Sequence, residues 1–217
     1  MATTQPDQTE NIEHPETKKS RVAFLRAQPI SDYGLKQYKK SLRTHIMTSR
    51  FTTQTYNRNK YYRTYPTIAA KNIACIYGTE NEIQCIPKGK LMYVLEMNNT
   101  TNKIMGIGKT YNIPMHKEYC IYKPNTTTTV NPQNYYRDFN CVSYTGSERV
   151  DCSDMNEDDQ EIIEILEEIC FKGRGHLKRS TQITQFPLRI LYQLYPEINV
   201  HEIIEKMFEK YKTKPTS

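Results

Sequence analysis

Lys90-Leu-Met-Tyr-Val-Leu-Glu-Met-Asn98 and Lys103-Ile-Met-Gly-Ile-Gly-Lys-Thr-Tyr111 read as two strands, joined by the turn-forming Asn98-Asn99-Thr100-Thr101-Asn102. Gly106 and Gly108 stand two apart and so point to one face of the second strand, where some group approaches the backbone closely. A phosphate loop is excluded, because the third glycine and the following helix are missing. Outward from this hairpin, short apolar runs at Ile73–Tyr77, Tyr119–Tyr122 and Cys141–Tyr144 are separated by turn-like segments punctuated by Pro87, Pro114, Pro124 and Pro132. Residues 67–150 therefore predict a β-domain, a small mixed barrel or sheet. The segment 123–136 has no periodicity and is expected to be an exposed loop.

On either side the period becomes that of helices. Ile162, Ile163, Leu166, Ile169 and Cys170 form a core stripe with Glu161, Glu164, Glu167 and Glu168 outside it. Asp158 and Asp159 complement the dipole in the first turn of that helix. Pro187 suits the first turn of a short helix to Tyr195, and Asn199 with Glu202 opens a last helix in capping-box spacing. Before the hairpin, Ser31 caps an expected basic helix to about Ser49, with Leu35, Tyr38, Leu42 and Ile46 as its apolar stripe. The expected fold class is α+β. Residues 1–20 form a disordered tail, 21–66 a basic helix and tyrosine-rich arm, 67–150 the β-domain, and 151–217 a helical part packed on it.

The 217 residues carry 30 Lys and Arg against 24 Asp and Glu, a formal net charge of +6. Hydrophobic residues make up 37%, below the ~45–50% usual for soluble globular chains, which accords with polar ends. No run approaches the ~18 apolar residues needed to span a membrane, and Met1–Thr17 lacks the apolar stretch of a secretory signal. An intracellular chain without a membrane partner is expected, its sequons at Asn98, Asn99 and Asn125 unused. The six cysteines include no C-x-x-C pair and the five histidines are scattered, so free thiols and neither a metal site nor another cofactor are expected.

The net charge conceals a separation. Thr17–Thr79 holds 13 basic residues against Asp32 alone, giving +12, whereas Glu148–Glu168 holds ten acids against Arg149 alone, giving −9. A polyanion is the natural partner of the first stretch, unless the two stretches lie together and neutralise. Residues 50–66, RFTTQTYNRNKYYRTYP, interleave Arg50, Arg58, Lys60 and Arg63 with Tyr61, Tyr62 and other rings. Such interleaving suits single-stranded nucleic acid, cations on phosphates and rings on bases at ~1–3 kcal/mol per base. It serves equally for a strand or linker whose tyrosines pack onto the domain. Lys172-Gly173-Arg174-Gly175-His176-Leu177-Lys178-Arg179 sets four cations and His176 on glycine-freed backbone, as a phosphate-contacting loop would. Lys172 and Arg174 there also complement a helix C-terminus. With Arg43 of the basic helix these are the candidate nucleic-acid contacts. Nothing resembles G-x-S-x-G, H-E-x-x-H or a Cys–His nucleophile, and His176 has no carboxylate at useful spacing. A non-catalytic role is expected.

LMYVLEMNNTTNKIMGIGKTYN further resembles the central hairpin of PUA-like domains, the EVE, ASCH and YTH group, over roughly residues 68–150. The resemblance rests on hydrophobic pattern and glycines. It implies a small mixed barrel binding RNA or a modified base in a pocket, often an aromatic cage. With no Trp, Tyr93 would be the cage residue, or Tyr111 or Tyr144. Tyr135–Asp151 and ICFKGRGHLKRSTQITQFP resemble uncharacterised proteins of large nucleocytoplasmic DNA viruses over about 90–180. The 21 Ile, 19 Lys, 17 Tyr and 15 Asn, residues of AT-rich codons, fit that source. The expectation is a viral RNA or modified-base reader with nucleic acid, RNA or DNA, and other viral proteins as partners. The alternative is a virion structural or scaffold protein whose basic arm mediates assembly.

Overall fold

The computed structural model describes residues 18–122, 140–173, 175–179 and 183–211. In chain order its elements are α1 (Lys18–Ala27), α2 (Asp32–Ser41), β1 (Thr44–Phe51), α3 (Thr53–Thr64), α4 (Pro66–Ala69), β2 (Cys75–Thr79), β3 (Leu91–Asn98) and β4 (Lys103–Tyr111). There follow β5 (Met115–His116), β6 (Val142–Gly146), β7 (Glu148–Asp151), α5 (Glu157–Phe171), β8 (Thr184–Gln185), α6 (Leu188–Leu194) and α7 (Val200–Lys210).

Five strands form one sheet in the order β7-β4-β3-β1-β8, and three form another in the order β2-β6-β5. β1 runs parallel to β3, with Thr44 opposite Leu91 and Phe51 opposite Asn98, and β3 turns back antiparallel into β4. One face of the large sheet (Ile46, Tyr93, Leu95, Ile107, Val150) shares a core with residues of α1, α5, α6 and α7. The other (Met47, Phe51, Met92, Val94) meets Cys75, Tyr77 and Tyr144 of the small sheet. The fold is α+β with a mixed sheet, as expected. Among the described residues, two open sheets stand where a closed barrel was a possible outcome.

The hairpin turns where the sequence indicates, with Asn102 at φ 55°. The two glycines of β4 mark close approaches by side chains. A Cβ on Gly106 would lie 2.3 Å from Nη2 of Arg149, and one on Gly108 would lie 1.9 Å from the Tyr77 hydroxyl. The last helix starts as the sequence indicates, Asn199 accepting from the backbone of Glu202 to cap α7, and α5 is capped in the same way by Asn156, which accepts from Asp159.

The N-terminal third departs from its expected form. The basic helix ends at Ser41 rather than Ser49, with Leu42 already extended, and Thr44–Phe51 is a strand inside the large sheet. Residues 46–49 are all buried, because a strand between two partners and two layers is covered on both faces and loses its alternation. Most of the expected arm, 50–66, is the helix α3. The stretch 21–66 is therefore part of the folded body, and the large sheet draws strands from before 67 and after 150 as well as between them. Residues 1–17 of the expected tail and the loop 123–136 lie outside the described residues, while Lys18–Ser20 open α1. No described helix is long and apolar enough to cross a membrane.

Candidate nucleic-acid interface

α3, TQTYNRNKYYRT, has almost no aliphatic surface. It starts because Thr52 and Thr55 cap it reciprocally: Thr52 Oγ1 accepts from Thr55 N at 3.1 Å, and Thr55 Oγ1 accepts from Thr52 N at 2.8 Å. Two stripes at spacings of three and four divide its surface. The inner stripe is held by polar bonds. Tyr56 Oη accepts from Arg149 Nη2 at 3.0 Å, Asn59 Nδ2 donates to the Ile76 carbonyl at 2.7 Å, and Arg63 Nη1 donates to the Ala74 carbonyl at 3.4 Å. β2 is an edge strand, and these donors occupy carbonyls that an edge leaves open.

The outer stripe is Gln54, Asn57, Arg58, Tyr61, Tyr62 and Tyr65. With Thr67, Ile68, Cys120 and Ile121 it lines a groove of about 790 Å³ that follows the whole helix. Tyr61 and Tyr65 remain 69% and 48% exposed, their ring centroids 5.9 Å apart and the planes tilted by 52°.

Behind α3 lies a buried charge cluster. Arg149 Nε sits 3.1 Å from both carboxylate oxygens of Glu96 and Nη2 sits 2.7 Å from Oε2, while Nη1 bonds Asp151 Oδ2 at 2.8 Å. Tyr77 donates to Glu96 Oε1 at 2.9 Å. The Arg149 and Glu96 side chains are 6% and 1% exposed. Burial opposes the guanidinium charge, but Glu96 outweighs it and holds Arg149 above its ordinary value. Burial and the Glu96 charge push the Tyr77 hydroxyl well up, so it stays a donor. The single cation of the acidic run is thus the one the core consumes.

The segment after α5 is tied to the hairpin. Leu177 N donates to Cys170 O at 2.7 Å, Asn99 Nδ2 to Lys178 O at 3.2 Å, and Lys178 Nζ to Asn102 Oδ1 at 2.8 Å. His176 Nδ1 accepts from Lys178 N at 3.3 Å. Lys172 pairs with Glu168 of the preceding turn.

The sequence-predicted contacts therefore divide. Arg58, Tyr61 and Tyr62 line the groove, Lys60 is exposed on the same helix, and Arg63 faces inward. Lys172, His176, Lys178 and Arg179 share the loop, and Arg174 lies outside the described residues. Arg43 stands just before β1, at the end of the sheet opposite the hairpin turn. Besides Arg63, which turns inward to the Ala74 carbonyl, two further assignments do not fit. Arg50 is partly buried, and its guanidinium donates to Leu177 O and, at 2.8 Å, to Thr184 Oγ1, bracing the loop from inside. Tyr93 is 1% exposed and stacks on Phe208 at 5.2 Å, on the helix-covered face of the sheet. Tyr144 is buried on the opposite side and Tyr111 is 52% exposed, so these three rings do not assemble a cage. Gln54 and Asn57 were missed. Their three- and four-residue spacing to Arg58, Tyr61 and Tyr65 was in the sequence but reads as a groove only once the segment is helical.

The two stretches do meet, α1 lying against α5 with Arg26 Nη2 donating to the Ile169 carbonyl at 3.3 Å, but the acidic run does not draw on the basic one for its described ion pairs. Glu148, Asp151, Asp159, Glu167 and Glu168 pair with Lys109, Arg149, Lys210, Lys103 and Lys172, none of them between residues 17 and 79. No protein-family model, curated protein or solved structure matches the chain.

Proposed function

We propose that the chain binds single-stranded nucleic acid, RNA or DNA, in the groove along α3, as a binding protein rather than an enzyme. One observation carries the reading: Tyr61, Tyr62 and Tyr65 share a helical stripe and a groove with Arg58, and two of the rings face solvent. Unpaired bases offer faces on which tyrosine rings stack, at ~1–3 kcal/mol per base. In a duplex those faces are already covered, so single strands are preferred. Arg58 and Lys60 supply positive charge beside the rings, and the acids whose pairs are described spend their charge elsewhere.

Because β1 is an inner strand, removing residues 1–66 would unravel the sheet, so point substitutions are the test. Fluorescence anisotropy with oligouridylate, oligothymidylate and a hairpin duplex, across a salt series, should show single strands bound more tightly. Tyr61→Ala and Tyr65→Ala should each weaken binding by about 5- to 150-fold, the equivalent of one lost stack, and affinity should fall as salt rises. Unchanged affinity in both variants, or binding that ignores salt, would sink the proposal. A chain that assembles with itself while shifting no oligonucleotide would select the scaffold alternative instead.

A further inference from the structure

We infer that the α3 groove is one end of a longer track that continues over the β3–β4 turn to Lys178 and Arg179, so that the ligand is a segment of strand rather than a single nucleotide. This rests on the groove reading and extends it. Gln54, the first groove residue, follows Thr53, whose N–H donates to Thr100 Oγ1 at 3.2 Å and whose hydroxyl donates to Asn98 Oδ1 at 3.4 Å. Asn99 N donates to Phe51 O at 2.7 Å. From the turn, Asn99 Nδ2 and Asn102 Oδ1 grip the backbone and the ammonium of Lys178. The start of α3, the tip of the hairpin and the basic loop are therefore successive hydrogen-bonded neighbours at one end of the sheet.

The charge at the far end points to a phosphate. Lys103 and Lys172 in the same region have carboxylate partners, Glu167 and Glu168. The described partner of Lys178 is the neutral amide of Asn102, which orients the ammonium without cancelling it. Arg179 beside it is exposed. Neutral polar groups (Thr100, Thr101, Asn102) are exposed between this end and the groove; of the acids beside Thr101 and Asn102, namely Glu164, Glu167 and Glu168, the last two are paired with Lys103 and Lys172. From Tyr65 to Gln54 the helix covers about 16 Å at 1.5 Å per residue. Crossing the turn adds about 5–10 Å, two neighbouring strands being ~4.8 Å apart. At ~3.4 Å per stacked nucleotide the track accommodates about six or seven nucleotides.

The test compares a trinucleotide with a dodecanucleotide of uridine in the same anisotropy assay. The dodecamer should bind more tightly. Tyr61→Ala should weaken both. The double variant Lys178→Gln, Arg179→Gln should weaken the dodecamer by about 10-fold, lower its salt slope by about two, and leave the trinucleotide unchanged. Arg179→Glu, a surface change, gives the same length-selective loss if the double variant folds poorly. Equal effects on the two lengths, or no effect on the dodecamer, overturn the track while leaving the groove in place. A Tyr61→Ala chain that binds both oligomers normally overturns the groove itself.

Discussion

Replacing Arg149 with methionine tests the internal support of the groove. The substitution keeps most of the aliphatic stem and removes the cation, so the effect is mainly electrostatic. Glu96, 1% exposed, would keep the Tyr77 hydroxyl on Oε1 but lose its three guanidinium contacts, one to Oε1 and two to Oε2. Tyr56 and Asp151 would each lose a donor. Breaking one side of a buried ion pair costs about 3–5 kcal/mol. In a chain of this length that is a melting temperature lower by about 6–20 °C, at ~2–4 °C per kcal/mol. Removing both charges with Glu96→Leu and Arg149→Met should recover much of the loss, leaving about 1–3 kcal/mol for the Tyr56 and Tyr77 hydroxyls. The double variant is therefore expected to be more stable than Arg149→Met alone. Urea unfolding followed by circular dichroism, with the slope checked for constancy, yields the cycle. Additive single effects, or an Arg149→Met variant within about 1 kcal/mol of the parent, would refute the claim that this pair is coupled and essential. Amides of α3 should also exchange faster in Arg149→Met, since Tyr56 is that helix's link to the cluster.

Other outcomes follow from single contacts. Gly108→Ala forces a methyl to 1.9 Å from the Tyr77 hydroxyl and 2.8 Å from Cys75, and should cost about 1–3 kcal/mol in urea unfolding; an unchanged midpoint would contradict the packing. His201, whose Nδ1 lies 3.0 Å from Thr44 Oγ1, is held by burial at about 4 instead of 6.5. The unfolded chain then takes up a proton that the folded one refuses, so stability should fall as pH drops from 6.5 toward 4, and a His201→Gln variant should show a shallower fall. Arg50→Met frees the Leu177 carbonyl; hydrogen exchange around Leu177 should accelerate, and dodecamer binding should suffer more than trinucleotide binding.

How much was legible depended on whether a segment's reason for being folded is apolar. The hairpin, the acidic helix and the C-terminal helix carry their own signals in Asn98–Asn102, in Asp158 and Asp159 with the apolar stripe behind them, and in Asn199, and those elements form where expected. The glycine pair gave more than a turn, since it correctly placed a close approach on one face of β4. β1 was hidden by coincidence, because Leu35, Tyr38, Leu42 and Ile46 keep a helical interval across the chain's change from helix to strand at Leu42. α3 was hidden for the opposite reason. A helix seated by Tyr56, Asn59 and Arg63 through hydrogen bonds leaves no apolar stripe to read, and its groove stripe looks like an alternation of rings and cations until it is wound.

The same winding changes what the basic stretch means. Its charge is not one surface: Lys36, Lys39, Lys40 and Arg43 lie on or just after α2, before β1, whereas Arg58 and Lys60 lie on α3, after it. Tyr38 seats α2 in the core on the helix-covered face of the large sheet and Tyr56 seats α3 in the core on the other face, so the sheet stands between the two groups, while charges act over only ~8 Å at physiological salt. The α2 lysines can therefore steer a polyanion from a distance at low salt, but they add little to contacts made in the groove. Like charges three and four apart on α2 each cost a few tenths of a kcal/mol, about 0.2–0.5, while the acids of Glu148–Glu168 form their described pairs with other partners. On the proposed reading, affinity for a strand resides in the rings and the few cations beside them. Substitutions on α3 and at Lys178 and Arg179, rather than changes in the total positive charge, should then decide whether the chain holds it.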